Sequence, residues 1–312
     1  MLVTGATGML GRGTARALLG RGDDVVGPWA DYARANIDGT RAVVAGCRAG
    51  GVRRLVHVSS PAVAHAGHPL IGVGAQPADP GLARGHYARS KAVAERVALA
   101  ADSAQLAVLC LRPHLVWGPG DTQLVVRIVS RARGGRLPVL GSGAALIDTT
   151  YVDNAVDALV AALDAGPRVH GEALVVSNGE PRTVVEILAS LCAAAGVPGP
   201  RRRVPVALAC VTGAVFEDVW RLRGRRDTPP LTRFLVEQLT TAHWFDQRRT
   251  RAALGWVPRV PLEAGFDELA RWFAGACGDT LRSWPRPRST CPIGSSGRSS
   301  ASLLPPDGRK RR

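Results

Sequence analysis

Residues 1–11 read MLVTGATGMLG, a short aliphatic and β-branched run that opens directly into glycines at positions 5, 8 and 11. A strand-to-helix turn of this kind carries no side chains where backbone N–H groups and a helix N-terminus must reach a pyrophosphate. In a chain with 36 glycines among 312 residues the spacing alone is weak. Its place between a first strand and a first helix, about Gly11–Leu19, is what gives it weight. Outward from it, residues 25–26 supply a very short second strand, and a helix follows over Ala30–Cys47 with Ile37, Val43 and Val44 on its apolar side. RRLVHVSS (53–60) reads as a buried strand, residues 61–86 as a long Gly/Pro/Ala-rich loop, and His86–Ala101 as a helix. LAVLCL (106–111) is then a strand, broken by Pro113. Short aliphatic strands alternating with helices predict an α/β fold, a doubly wound parallel sheet covered on both faces.

Beyond residue 118 the pattern loosens. Asp153 is placed to cap a helix over Asn154–Leu163, ALVVS (173–177) reads as a strand and Val184–Ala195 as a helix. RRRVPVALACVTGAVF (201–216) reads as an amphipathic or core helix behind a basic cluster, and Leu262–Phe273 as the last periodic helix. After Cys277 the chain turns rich in Ser and Pro. That predicts a truncated dinucleotide-binding domain over 1–118, a smaller substrate-binding region over 119–277 that shares the last sheet elements (about 148–177), and a disordered basic tail over 278–312.

Apolar residues make up 46% of the chain and charged residues 21%, which excludes a mainly disordered, collagen-like or disulfide-scaffold protein. The formal net charge is +15, yet of the 40 basic residues only Lys91 and Lys310 are lysines. An arginine excess beside abundant Ala, Gly and Pro reflects coding bias, so no nucleic-acid partner is expected. Six cysteines stand without a Cys-x-x-Cys spacing, and the first residues lack a signal-peptide pattern. Reduced thiols in a cytoplasmic protein are therefore expected. His65 and His68, three apart, make a poor metal site, and no metal is expected. The longest apolar stretch, Val204–Phe216, contains Pro205 and is too short to span a bilayer. RRR at 201–203 beside it allows contact with a membrane surface.

The chemistry concentrates at Tyr87 and Lys91. Four residues apart near a helix start, their side chains leave one face. A lysine ammonium near a phenol favours the phenolate, which suits a general acid/base. Ser59 and Ser60 end a strand at the carboxyl edge, where ligands bind in open α/β sheets, and the hydroxyl of Ser60 suits the orientation of a substrate oxygen. Neither serine sits in a Gly-x-Ser-x-Gly elbow, so nucleophilic catalysis is not indicated.

TGATGMLG (4–11), NIDGT (36–40), the Ser59–Ser60 strand end, YARSK (87–91) and LRPHLVWGPGD (111–121) together resemble the extended short-chain dehydrogenase/reductases. Within that NAD-dependent epimerase/dehydratase superfamily they are most similar to the 3β-hydroxysteroid dehydrogenase-like branch. LPVLGSGAALIDTTYVDNAVDAL (137–159) and LTTAHWF (239–245) further resemble bacterial enzymes that reduce long-chain 3-keto acids in olefin biosynthesis. The resemblance covers residues 1–26 and about 28–274. It implies a Rossmann-like sheet, NAD or NADP as cofactor, and a secondary alcohol or ketone on an apolar, sterol-like or 3-keto-acid substrate. Ser60, Tyr87 and Lys91 would form the catalytic triad, with Lys91 also holding the nicotinamide ribose. Gly5, Thr7, Gly8, Met9, Leu10, Gly11, Ser59, Pro113 and Val116 would line the cofactor with Tyr87 and Lys91. Asn36 takes a structural or relay role, and a homodimer through the helices flanking Asn36 and Tyr87 is implied.

Two departures from the family pattern stand out. His114 replaces the Asn usual in sugar-nucleotide epimerases, which disfavours an epimerase or dehydratase. Val25–Val26–Gly27 runs almost directly into PWADYARANIDGT, so about two βα units appear to be missing after residue 26. The adenosine end of the cofactor pocket is then expected to be depleted. A non-catalytic family member that does not hold the dinucleotide is the alternative.

Overall fold

The α/β alternation is present in the computed structural model, which describes residues 28–65, 67–223 and 229–275. The Gly5–Gly11 turn, the strand at 25–26 and the 278–312 tail lie outside the described residues. The first described helix is continuous but not uniform: α1 (Trp29–Tyr32) passes through a π-helical turn, Ala33–Asp38, into α2 (Gly39–Ala49). Then come β1 (Arg54–Val58), a 3₁₀ turn at Pro61–Ala64, β2 (Leu70–Val73), α3 (Gly85–Leu99), β3 (Ala107–Pro113) and β4 (Val116–Trp117). The chain continues through α4 (Leu124–Arg133), β5 (Pro138–Leu140), β6 (Leu146–Ile147), β7 (Thr150–Tyr151), α5 (Val152–Asp164) and β8 (Glu172–Val176). It closes with β9 (Arg182–Thr183), α6 (Val184–Ala194), β10 (Arg202–Val204), α7 (Val206–Leu222), α8 (Arg233–Thr240), β11 (His243–Phe245), α9 (Arg248–Leu254) and α10 (Leu262–Gly275).

The central sheet has the order β1-β3-β8, all parallel, with Leu55 opposite Val108 and Leu111 opposite Leu174. Successive side chains of β3 point to opposite faces. Val108 and Cys110 pack with Val44 and Cys47 of α2 and Ala98 of α3. Leu109 and Leu111 pack with Ala158 and Ala162 of α5, Leu254 of α9 and Trp256. Residues 108–111 are completely buried. This is the two-sided cover that the unbroken aliphatic run predicted.

The remaining strands build three further sheets: four-stranded β2-β11-β6-β9 and the pairs β10-β5 and β4-β7. The 61–86 segment, expected to be structureless, contains the 3₁₀ turn and β2. β2 pairs with β11, more than 170 residues further on, and a pairing that distant leaves no local pattern. Gly72 at φ +62° makes it possible, because a Cβ there would lie 2.8 Å from the Trp244 ring. Asp153 does not cap α5: β7 runs straight into the helix, Tyr151 takes the N-cap position, and Asp153 falls in the first turn. The basic cluster 201–203 enters a strand, β10, paired in parallel with β5. β3 continues through Pro113, which as a strand end needs no N–H donor there. Thr183 and Glu186 form a capping box at the start of α6, a local signal of its first turn. The four described cysteines, Cys47, Cys110, Cys192 and Cys210, are free thiols.

Because β3 is packed on both faces, truncating it leaves a cavity. Leu109→Ala is expected to lower the unfolding free energy by about 2–5 kcal/mol in denaturant titration, whereas Leu82→Ala, at an exposed loop position, is expected to change it by less than about 0.5 kcal/mol.

Candidate active site

The site begins where β1 ends. Ser59 N–H donates to the Leu111 carbonyl at 2.6 Å, extending the β1–β3 ladder one residue past the strand. The Ser59 hydroxyl is buried and has no hydrogen-bond partner among the described residues. Ser60, in extended conformation, N-caps the 3₁₀ turn and accepts from the Ala62 N–H at 3.3 Å. Its own O–H proton is then available to another acceptor.

Helix α3 brings the phenol and the ammonium. Tyr87 lies in its first turn, and Lys91 one turn on leaves the same face. The Lys91 ammonium donates to the Val58 carbonyl at 2.8 Å, which ties the helix to the residue before Ser59. The same charge lies near His57: burial first and Lys91 second push the His57 imidazole down to about 3. The Tyr87 carbonyl accepts from the Ser90 hydroxyl at 2.9 Å, and Ser90 accepts from Asn36 Nδ2 at 2.9 Å. Asn36 sits in the π-helical turn, a feature often found at functional sites, and its carbonyl accepts from Thr40 at 2.6 Å. Asn36 thus holds the first described helix against the base of Tyr87.

The third wall is the exit from β3. Leu115 has φ +42°, the left-handed region that β-strand exits rarely use outside glycine. Hydrogen bonds hold the turn on both sides: His114 N–H donates to the Val176 carbonyl at 3.0 Å, and the Thr150 hydroxyl donates to the His114 carbonyl at 2.7 Å. Pro113, the last residue of β3, and Val116, the first of β4, flank this turn. The buried His114 ring meets His243 and Phe245 edge-on at centroid distances of 4.8 and 5.1 Å. Burial foremost, then His243, keeps His114 neutral well below the ordinary imidazole range. His65 sits beside Glu237 at 3.5 Å, and Glu237 also pairs with Arg84.

Sequence reasoning passed over a buried ion pair behind the site. Arg112 forks onto both oxygens of Glu95, at 2.8 and 2.5 Å, and its third contact is the Gln76 carbonyl at 2.7 Å. Both side chains are fully buried. Three pieces meet there: α3, the end of β3, and the connection after β2. The signal was available, since Tyr87, Lys91 and Glu95 recur at four-residue spacing on one helix face. Lys91, Ser59, Ser60, Pro113 and Val116 are thus brought to one edge of the sheet with Tyr87 on the adjoining helix. The residues expected to line the pyrophosphate, Gly5, Thr7, Gly8, Met9, Leu10 and Gly11, lie outside the described residues.

A parallel sheet with two serines at its carboxyl edge and a Tyr-x-x-x-Lys helix beside them defines a nicotinamide-dependent oxidoreductase of Rossmann fold. The chain belongs to the 3-beta hydroxysteroid dehydrogenase/isomerase family, whose model matches residues 23–206. It is 45% identical over 248 residues to the 2-alkyl-3-oxoalkanoate reductase of Stenotrophomonas maltophilia, covering 78% of this chain and 75% of that one. It is 32% identical over 243 residues to a 3beta-hydroxysteroid-dehydrogenase/decarboxylase of Arabidopsis thaliana, covering 74% of this chain and 55% of that one. In fold it is similar to the UDP-glucuronic acid 4-epimerase of Bacillus cereus solved with NAD, with a TM-score of 0.60 at 17% identity over 81% of this chain and 72% of that one.

Two outcomes follow for stability. Glu95→Gln strands a buried guanidinium and is expected to cost about 3–5 kcal/mol in denaturant unfolding, most of it recovered in the apolar double variant Glu95→Leu/Arg112→Met. The depressed imidazoles bind fewer protons folded than unfolded. Their contribution is therefore intact above about pH 6.5, the unfolded value, and is lost as pH falls toward about 3 for His57. Unfolding midpoints measured from pH 7 down to 4 are expected to fall more steeply for the wild type than for His57→Asn.

Proposed function

We propose that the chain exchanges hydride between a nicotinamide cofactor and the carbonyl or secondary alcohol of an apolar substrate of 3-oxo-acid or sterol type. Tyr87, Lys91 and Ser60 are the catalytic residues in this reading. The observation that carries it is the Lys91 ammonium, held by the Val58 carbonyl at the strand end that leads into Ser59 and Ser60, one helical turn from Tyr87. The activities for which the relatives are named, reduction of 2-alkyl-3-oxoalkanoates and dehydrogenation of 3β-hydroxysteroids, support the substrate class.

The nicotinamide end of a dinucleotide fits the residues present. At the carboxyl edge of the sheet the Ser59 hydroxyl is buried without a hydrogen-bond partner among the described residues, and the backbone between Pro113 and Val116 turns through Leu115 at φ +42°. When bound, the cofactor supplies a hydride donor or acceptor. The protein does the remainder. Tyr87 gives its phenolic proton to the substrate oxygen on reduction and takes it back on oxidation. Lys91, positively charged and anchored on Val58, stabilises the phenolate that results. Ser60 donates its O–H to the same substrate oxygen and fixes its direction.

Calorimetric titration with NADH and NADPH, followed by a turnover assay on a 2-alkyl-3-oxo acid, tests the reading. The wild type is expected to bind one of the two and turn over. Tyr87→Phe is expected to bind equally well and lose about 10²–10⁴ in kcat. A folded wild type that binds neither dinucleotide would show a non-catalytic family member instead.

A further inference from the structure

The helix α7 carries an uncovered apolar face. Leu208, Val211, Val215 and Leu222 are 57%, 63%, 54% and 86% exposed, and their spacing of three, four and seven residues puts them on one stripe. The opposite face is the one that packs. Ala209 and Gly213 are buried, and a Cβ on Gly213 would come within 3.0 Å of Thr232 at the start of α8. The stripe is therefore an outward face of a well-seated helix about 25 Å long. It does not span: among the described residues no helix is long and apolar enough to cross a membrane.

The charges beside the stripe are one-sided. The two acids of α7 are already neutralised, Glu217 by Arg233 at 2.8 Å and Asp218 by Arg221 at 2.7 Å. Arg201, Arg202 and Arg203 before the helix and Arg223 after it are exposed and make no ion pair among the described residues. An apolar face flanked at both ends by exposed guanidinium groups, without an ion-pair partner among the described residues, complements one kind of surface: acyl chains beneath anionic headgroups. A second copy of this chain would bring the same four arginines against them, in a protein of formal charge +15. We propose that α7 lies on an anionic phospholipid bilayer, with Leu208, Val211, Val215 and Leu222 in the headgroup–acyl boundary and Arg201–Arg203 and Arg223 on the phosphates.

Co-sedimentation of the full chain with extruded vesicles tests this without reference to turnover. Binding is expected to vesicles of mixed phosphatidylglycerol and phosphatidylcholine, to be weak on phosphatidylcholine alone, and to fall as salt rises. Val211→Asp/Val215→Asp, both on the solvent side, is expected to abolish sedimentation while leaving the circular-dichroism melt unchanged. Arg201→Gln/Arg202→Gln/Arg203→Gln is expected to weaken binding to the anionic vesicles on the order of a hundredfold at low salt. Undiminished binding by the aspartate variant would place the lipid contact elsewhere and overturn the proposal. So would a wild type that ignores vesicles, including one that sediments as a dimer which the aspartate variant splits.

Discussion

Strand β3 bears the organisation of the molecule because it is buried on both faces. Val108 and Cys110 face α2 and α3, while Leu109 and Leu111 face α5 and α9. The two sets of helices lie on opposite faces of the strand, so the register of β3 against β1 and β8 sets where each layer sits. The chemistry inherits that register. Val58, which holds the Lys91 ammonium, is opposite Leu111, and the Pro113–Val116 turn leaves the sheet two residues later. A slip of one residue would turn every core side chain to the wrong face and carry the Val58–Ser60 strand end out of register with α3.

Charge is placed with equal economy around the site. Glu95 and Arg112 cancel one another in the interior, and the guanidinium uses its remaining donor on the Gln76 carbonyl. Beside that neutralised pair, the Lys91 ammonium stands next to the strand end and donates to the Val58 carbonyl. The imidazoles of His57, His114 and His243, kept neutral mainly by burial, add no competing cation at this edge near neutral pH.

The parts of this design that were legible in the sequence share one property: they are local. The aliphatic run of β3, the Tyr87–Lys91 spacing and the Ser59–Ser60 strand end each lie within a few residues. The missed parts are non-local. β2 escaped notice because its partner, β11, is the better part of two hundred residues away, and Arg112 looked like one arginine among many until Glu95 enclosed it. Asp153 misled for a related reason, since a short strand, β7, paired with β4 and moved the helix start upstream.

By itself the sequence determined the alternation of strands and helices, the two-sided burial of the sheet, and the residue types at its carboxyl edge. Periodicity and spacing express short-range sterics and solvent exposure, and these act along the chain. Only the tertiary structure decided that Lys91 rests on Val58, that Asn36 braces Tyr87 through Ser90, and that the far side of α7 remains uncovered. Each of those depends on which segments distant in the chain come to share a surface, and loop-closure entropy and packing settle that choice for the whole fold at once.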